Sequence, residues 1–206
     1  MFCSNYEALE NALTKRGFIV HSAKDAEEAR QLAFSLIKEN ESVGFGGSVT
    51  VQNDLDLYNR LNERGNKVYS HWYASDRSKA QDDAGKADWY LASTNALLSD
   101  GRLVNIDGTG NRVASMVIGP EKVMLFIGKN KFVNGGLDDG IARIKRETCP
   151  PNARRLKLDK LPCGITGHCA DCNTEQRMCR VTTIIEYPTR AIKEFHLVLI
   201  DEELGR

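Results

Sequence analysis

The chain has 206 residues, 28 Lys+Arg balanced by 28 Asp+Glu, and 41% hydrophobic residues; that length supports one substantial core without disulfides, and the neutral balance leaves no net field to recruit nucleic acid or an anionic membrane. No apolar run approaches the roughly 20 residues of a membrane span, and Met1 to Glu7 lack the basic-then-apolar order of a signal peptide. A cytoplasmic location is therefore expected, with the six cysteines as reduced thiols or metal ligands before disulfides.

Ser4-x-x-Glu7 forms a capping-box pattern ahead of Tyr6, Leu9 and Leu13, which repeat at helical spacing. That helix is expected to end near Arg16-Gly17, with Phe18-Ile19-Val20 as a short strand or extended lead-in. Asp25-x-x-Glu28 opens a second helix with Ala26, Ala29, Ala33, Leu36 and Ile37 on one side. Both read as packing helices. From Ser42 to Thr50 a brief strand runs into glycines and hydroxyls, after which Val51, Leu55 and Tyr58 mark a helix. A strand, a Gly-rich turn and a helix N-terminus suit phosphate or another anion, because Gly lets the anion approach the main chain. A tight packed turn is the competing reading. The stretch is neither a Walker loop nor a GxGxxG fingerprint, and Gly46, Gly47, Ser48 and Thr50 are its candidate anion-holding residues.

Lys67 to Ser70 reads as a strand, Asp76 to Lys86 as a polar surface helix, and Trp89 to Ala92 as another strand. His71 reads as a core or rim histidine in preference to a catalytic base. Asp100-Gly101 between apolar residues signals a hairpin over Leu97 to Val104. It feeds Asn105-Ile106-Asp107-Gly108-Thr109-Gly110-Asn111-Arg112, and Val113, Met116 and Val117 follow at helical spacing. Such a strand-to-helix turn can aim backbone N–H groups and the helix dipole at an anion, with Arg112 adding a planar fork for phosphate or carboxylate. The alternative is a polar loop in which Asn111 or Thr109 caps the helix. The density of functional groups favours a site. Asn105, Gly108, Thr109, Gly110, Asn111 and Arg112 are then candidate anion-binding residues. Asp107, the only carboxylate in either glycine-bearing stretch, is the candidate acid–base residue or cation ligand.

Val123 to Gly128 is a continuous apolar run, as expected of a strand buried on both faces. Lys129 and Lys131 come at its carboxyl end, where ligands bind in open α/β sheets; two lysines on a solvated loop are the other reading. Gly135-Gly136 precedes a helix bearing Leu137, Ile141 and Ile144, which Cys149-Pro150-Pro151 is expected to stop. Strand-like runs close the chain at Val181 to Ile185 and Phe195 to Ile200. The alternation predicts an α/β fold, an open, largely parallel sheet flanked by helices with at least one antiparallel pair inserted. One domain is expected over 1–206, with a Cys-rich segment at 162–180.

Within that segment Cys163, Cys169, Cys172 and Cys179 are spaced C-x5-C-x2-C-x6-C. Cys169-x-x-Cys172 can turn two thiolates toward one ion, and four thiolates could close a tetrahedral zinc or hold an iron–sulfur cluster. There is one C-x2-C knuckle and no ferredoxin spacing. Reduced thiols lining a packed loop, and a redox-active Cys169/Cys172 pair, therefore stay open beside the metal site.

The stretches 43–50, 103–114 and 128–131, with Pro162 through Cys172, resemble the short, single-domain members of the lactate-utilisation (LUD) domain family in order and spacing. The likeness runs from about the second helix to the last strand, and Asn105 to Arg112 is its most specific part. It implies an open α/β fold of the kind shared by ribose-5-phosphate isomerase, glucosamine-6-phosphate deaminase, CoA transferases and formyltetrahydrofolate cycloligase. In those relatives, Gly-rich turns at strand ends bind phosphorylated or CoA-like ligands. Larger LUD systems support oxidation of L-lactate to pyruvate alongside iron–sulfur proteins; this sequence lacks their appended ferredoxin-type module.

Two functions follow as expectations. The first is an enzyme or enzyme subunit acting on a small anionic organic acid or phosphorylated metabolite. Gly46, Gly47, Ser48 and Thr50 would hold the anion, Asp107, Thr109, Asn111 and Arg112 would face the reacting group, and Lys129 or Lys131 would complete the charge balance. The second is a non-catalytic metabolite-binding or accessory subunit of an iron–sulfur oxidoreductase, its cysteines a structural metal site or an electron relay. A homodimer is the default oligomer, and nucleic-acid binding is not expected, since aromatics are not interleaved with basic residues.

Overall fold

The structure, a computed structural model, describes residues 6–205. The proposed cap Ser4 lies outside the described residues. The first helix, α1, spans Tyr6–Lys15 and buries Leu9 and Leu13; strand β1 follows at Ile19–Ala23. In α2, Ala26–Leu36, Asp25 caps the N-terminus by accepting from the Glu28 N–H at 2.9 Å. The Glu28 carboxylate in turn accepts from the Lys24 N–H at 2.8 Å, one residue ahead of the N-cap N–H that a capping box satisfies.

Strand β2 is Val43–Phe45. The helix expected from Val51 onward is divided: Thr50–Asp54 winds as a π-turn, and α3 proper begins later, at Leu57–Arg64. Asp56, at φ 50, makes the break between them. Then come β3 (Val68–Ser70), α4 (Arg77–Ala84) and β4 (Trp89–Ala92). Gly44 lies where α4 crosses β2, and a Cβ there would overlap the Ala84 carbonyl. Strands β5 (Ala96–Leu98) and β6 (Leu103–Asp107) form the expected antiparallel hairpin. Helix α5 (Asn111–Val117) leads to β7 (Lys122–Gly128) and to the two-residue β8 (Phe132–Val133).

One boundary differs from expectation. After α6 (Leu137–Arg143) the chain stays helical through a π-turn at Ile144–Thr148, and α7 runs over Cys149–Arg155. Pro150 and Pro151 sit in the first turn of α7, where their fixed φ suits a helix start. The prolines begin a helix here instead of ending one. The Cys-rich segment contains the short α8, Pro162–Thr166, and β9 (Val181–Ile185) and β10 (Glu194–Ile200) complete the chain.

The principal sheet is open and all-parallel, in the order β1-β10-β7-β4-β2-β3. A second sheet, β8-β5-β6-β9, contains the antiparallel pairs. Alternation along the central strands explains their unbroken apolar sequence. Val123, Leu125 and Ile127 enter one core with Leu9, Leu13 and Phe18, while Met124 and Phe126 enter a second with Ala29, Ala33 and Leu61. A strand sandwiched this way has no face left for polar residues. From β2 the chain moves outward to β3, then returns past β2 to β4, so strand order reverses between β2 and β4. Crevices at the carboxyl ends of strands beside such a reversal are where open α/β sheets bind ligands. Among the described residues no helix is long and apolar enough to cross a membrane.

Candidate functional site

Three polar segments leave the carboxyl ends of neighbouring parallel strands: Gly46–Thr50 after β2, Ser93–Asn95 after β4, and Lys129–Lys131 after β7. The turn at the end of β6 joins them. Gly46 is the meeting point of the two glycine-bearing stretches, since a Cβ placed there would lie 3.1 Å from Arg112 Cγ. A cavity of about 610 Å³ opens beside this junction, lined in part by Gly47, Asp107, Gly108, Thr109, Asn111 and Arg112. A smaller recess of about 80 Å³ adjoins it, with Gly47, Ser48, Thr50, Ser93, Arg112 and Lys131 among its walls.

Arg112 is the hub of the turn. Its Nη1 donates to the Ser93 carbonyl and to Asn105 Oδ1, both at 2.6 Å. Its Nη2 donates to Asn95 Oδ1 at 2.8 Å and Asp107 Oδ1 at 2.6 Å, and its Nε donates to that same Asp107 oxygen at 3.0 Å. The other Asp107 oxygen accepts from the Val113 N–H in the first turn of α5 at 3.1 Å. With side chains only 9% and 10% exposed, Arg112 and Asp107 form a buried, hydrogen-bonded ion pair. Both groups are engaged within the protein: the Arg112 fork ties β4, β6 and α5 together, while the residue also borders both cavities. Gly110 precedes α5 at φ 87, a left-handed conformation that only Gly adopts without strain.

Lys131 stands at the base of the recess. Its Nζ donates to Thr50 Oγ1 and to Ser93 Oγ, each at 2.7 Å, and the Ser93 hydroxyl in turn donates to the Phe126 carbonyl at 2.6 Å. Only 3% of Lys131 is exposed. Burial, reinforced by the Arg143 and Arg112 guanidiniums and opposed by Asp54, pushes the ammonium down to about 7. Lys129, by contrast, is exposed and turns to Asp201, donating to its carbonyl at 3.0 Å. It lines neither cavity. Of the two lysines after β7, the second alone reaches the site, because the short 3-10 turn at Lys129–Lys131 points them in different directions.

The remaining expected residues divide by role. Asn105 is fully buried beneath the turn, accepting from Arg112 and from the Asn95 N–H, while its own Nδ2 has no partner. Gly46 and Gly110 shape the backbone and line neither cavity. Several wall residues were not singled out from the sequence: Trp72, Arg77, Ser93, Asn95, Asn152 and Arg155. Ser93-Thr94-Asn95 had a usable signal, a polar run directly after a buried strand. Arg77 and Arg155 had none, since each is an exposed helical arginine whose place depends on the packing of α4 and α7. His71 is a rim residue, as expected. Its ring lies 3.5 Å from the position of a Cβ on Gly47, and its buried Nδ1 has no hydrogen-bond partner. Burial, then Arg77 and Arg155, lower its pKa, so the neutral ring is favoured. The lining therefore sets Arg77, Arg112, Arg155 and Lys131 against one carboxylate, Asp107, a balance suited to an anion.

Cys163, Cys169, Cys172 and Cys179 do converge, together with Cys149, on the walls of one apolar cavity of about 20 Å³. Cys163 is buried and Cys169 exposed. Cys169 Sγ accepts from the Asp171 N–H at 3.4 Å, whereas Cys179 Sγ contacts Cys149 Sγ at 3.2 Å. Among the described residues no three His, Cys, Asp or Glu side chains group as a metal ion requires.

Comparison with protein-family models matches the LUD domain over residues 6–200. Among solved structures, a DUF162 family protein from Deinococcus radiodurans is similar, with a TM-score of 0.52 and 11% sequence identity over 95% of each chain. At that identity the likeness speaks for the fold. Comparison with curated proteins gave no match.

Proposed function

The chain belongs to the LUD domain family, and from that premise we propose that this lactate-utilisation-type protein holds a small organic-acid or phosphorylated anion in the joined cavities. The observation that carries the reading is Lys131: a buried amine held by two hydroxyls at the foot of a glycine-bearing turn, facing a recess bordered by Arg112 and Arg155. An anion entering there would meet the Gly47–Thr50 backbone and Lys131, with Arg155 and Arg77 around the wider mouth. Carboxylate or phosphate on such donors gains charge-assisted hydrogen bonds. The Cε1–Nε2 edge of the His71 ring, which lies beside Gly47 at the cavity wall, would form a hydrogen bond with a hydroxyl or carbonyl carried on the same molecule.

Thermal-shift titration with lactate, pyruvate, sugar phosphates and CoA esters tests the reading, because a ligand that binds the native state raises apparent stability. At least one class should stabilise the protein, and Lys131→Met should abolish that shift. No stabilisation by any class would refute anion binding. Turnover by the isolated protein would favour the enzyme over the accessory subunit.

A further inference from the structure

The anion-binding reading uses neither Cys149 nor Cys179, yet these thiols are thirty positions apart in sequence with sulfurs 3.2 Å apart. Tertiary packing makes this pair. Cys149 begins α7, which packs against α8 and the π-turn before it, and Cys179 lies two residues ahead of β9. The backbone around Cys179 is pinned by Arg177, whose Nε donates to the Cys179 carbonyl at 2.8 Å and whose Nη1 donates to the Cys172 carbonyl at 2.7 Å. Both thiols line the 610 Å³ cavity, so a solute that enters it can reach them. Their exposures differ: Cys149 is buried and Cys179 half-buried. The two cysteines of the C-x2-C knuckle show no such sulfur–sulfur contact, and one of them is bonded within its own loop.

We propose that Cys149 and Cys179 form a redox-active dithiol in the wall of the cavity that reacts with low-molecular-weight disulfides. Cys179, the more accessible thiol and the one beside Arg177, attacks a disulfide R–S–S–R as its thiolate. A Cys179–S–S–R bond forms and one R–S⁻ leaves. Cys149 then attacks the Cys179 sulfur, a Cys149–Cys179 bond forms, and the second R–S⁻ departs. The two thiol protons end on the two leaving groups as R–SH, so the protein dithiol is oxidised and the small disulfide reduced, with atoms and electrons balanced. A disulfide needs its sulfurs at about 2.05 Å, an approach of roughly 1 Å that side-chain rotation at a half-buried site can supply. Because Met178, next to Cys179, has its carbonyl 3.0 Å from where a Cβ on Gly108 would lie, the bond would form beside the anion-binding turn.

The test uses the full chain, reduced and freed of reductant, treated with oxidised glutathione, then alkylated and mapped by peptide mass spectrometry. A Cys149–Cys179 crosslink is expected in the wild type. Cys149→Ser should leave glutathione trapped on Cys179, and Cys179→Ser should leave Cys149 alkylatable. Should Cys149→Ser fail to fold, Cys149→Ala and the wild-type map decide the matter. Crosslinks that join other cysteines while Cys149 and Cys179 remain alkylatable would overturn the proposal. So would purified protein in which bound zinc or iron shields both thiols until a chelator removes it.

Discussion

Lys131 Nζ lies 2.7 Å from Thr50 Oγ1, although 81 positions separate the residues. That contact joins the end of β7 to the turn after β2 across the intervening β4, and it puts an amine in a place where its charge is costly. With the native pKa pushed to about 7 from 10.5, the unfolded chain holds one more proton between those values. Stability contributed at this position therefore rises with pH across that window, and the penalty is fully present below it. Lys131→Met should raise the melting temperature relative to the wild type most at or below pH 7, with the difference shrinking toward pH 10.5. A difference independent of pH would contradict the assignment.

The same titration bears on ligand binding. An anion favours the charged ammonium, so binding should draw a proton onto Lys131 and weaken as pH rises through 7. Calorimetry in buffers of different ionisation enthalpy should detect that proton uptake in the wild type and lose it in Lys131→Met.

Asp107→Asn separates a positioning carboxylate from a catalytic one. Breaking a buried ion pair by neutralising one partner costs about 3 kcal/mol or more, and here it leaves Arg112 with neutral acceptors only. Urea denaturation should show a clear fall in midpoint. A variant of unchanged stability that loses turnover would restore the acid–base role.

At Gly110 the expected effect is confined to the backbone. A Cβ would meet nothing within 4 Å, but φ is 87. Gly110→Ala should therefore cost roughly 1–2 kcal/mol, and Gly110→Asn less, because Asn tolerates the left-handed region. Equal losses for both variants would point to a contact instead of backbone strain.

Arg155 stacks its guanidinium 5.0 Å from the centre of the Trp72 ring at the cavity wall. Arg155→Ala should weaken anion binding about tenfold, the scale of one charge-assisted hydrogen bond, while changing the melting temperature little. Unaltered affinity would move the anion deeper, to Lys131 alone.

Sequence by itself determined the α/β class, most helices and strands, and the Asp100-Gly101 hairpin, because burial leaves its period in the chain: alternating faces in strands, one stripe in helices. It also picked out the segments at 46–50 and 105–112 by their glycines and functional groups. Tertiary structure alone decided who meets whom. Periodicity marks a buried face without naming what covers it, so the reversal of strand order between β2 and β4, which gathers Gly47, Ser93 and Lys131, leaves no local trace. The same holds for Lys131 over Lys129, for the pairing of Arg112 with Asp107, and for Cys149 beside Cys179. Each depends on contacts between distant residues, whose geometry exists only once the two cores have packed.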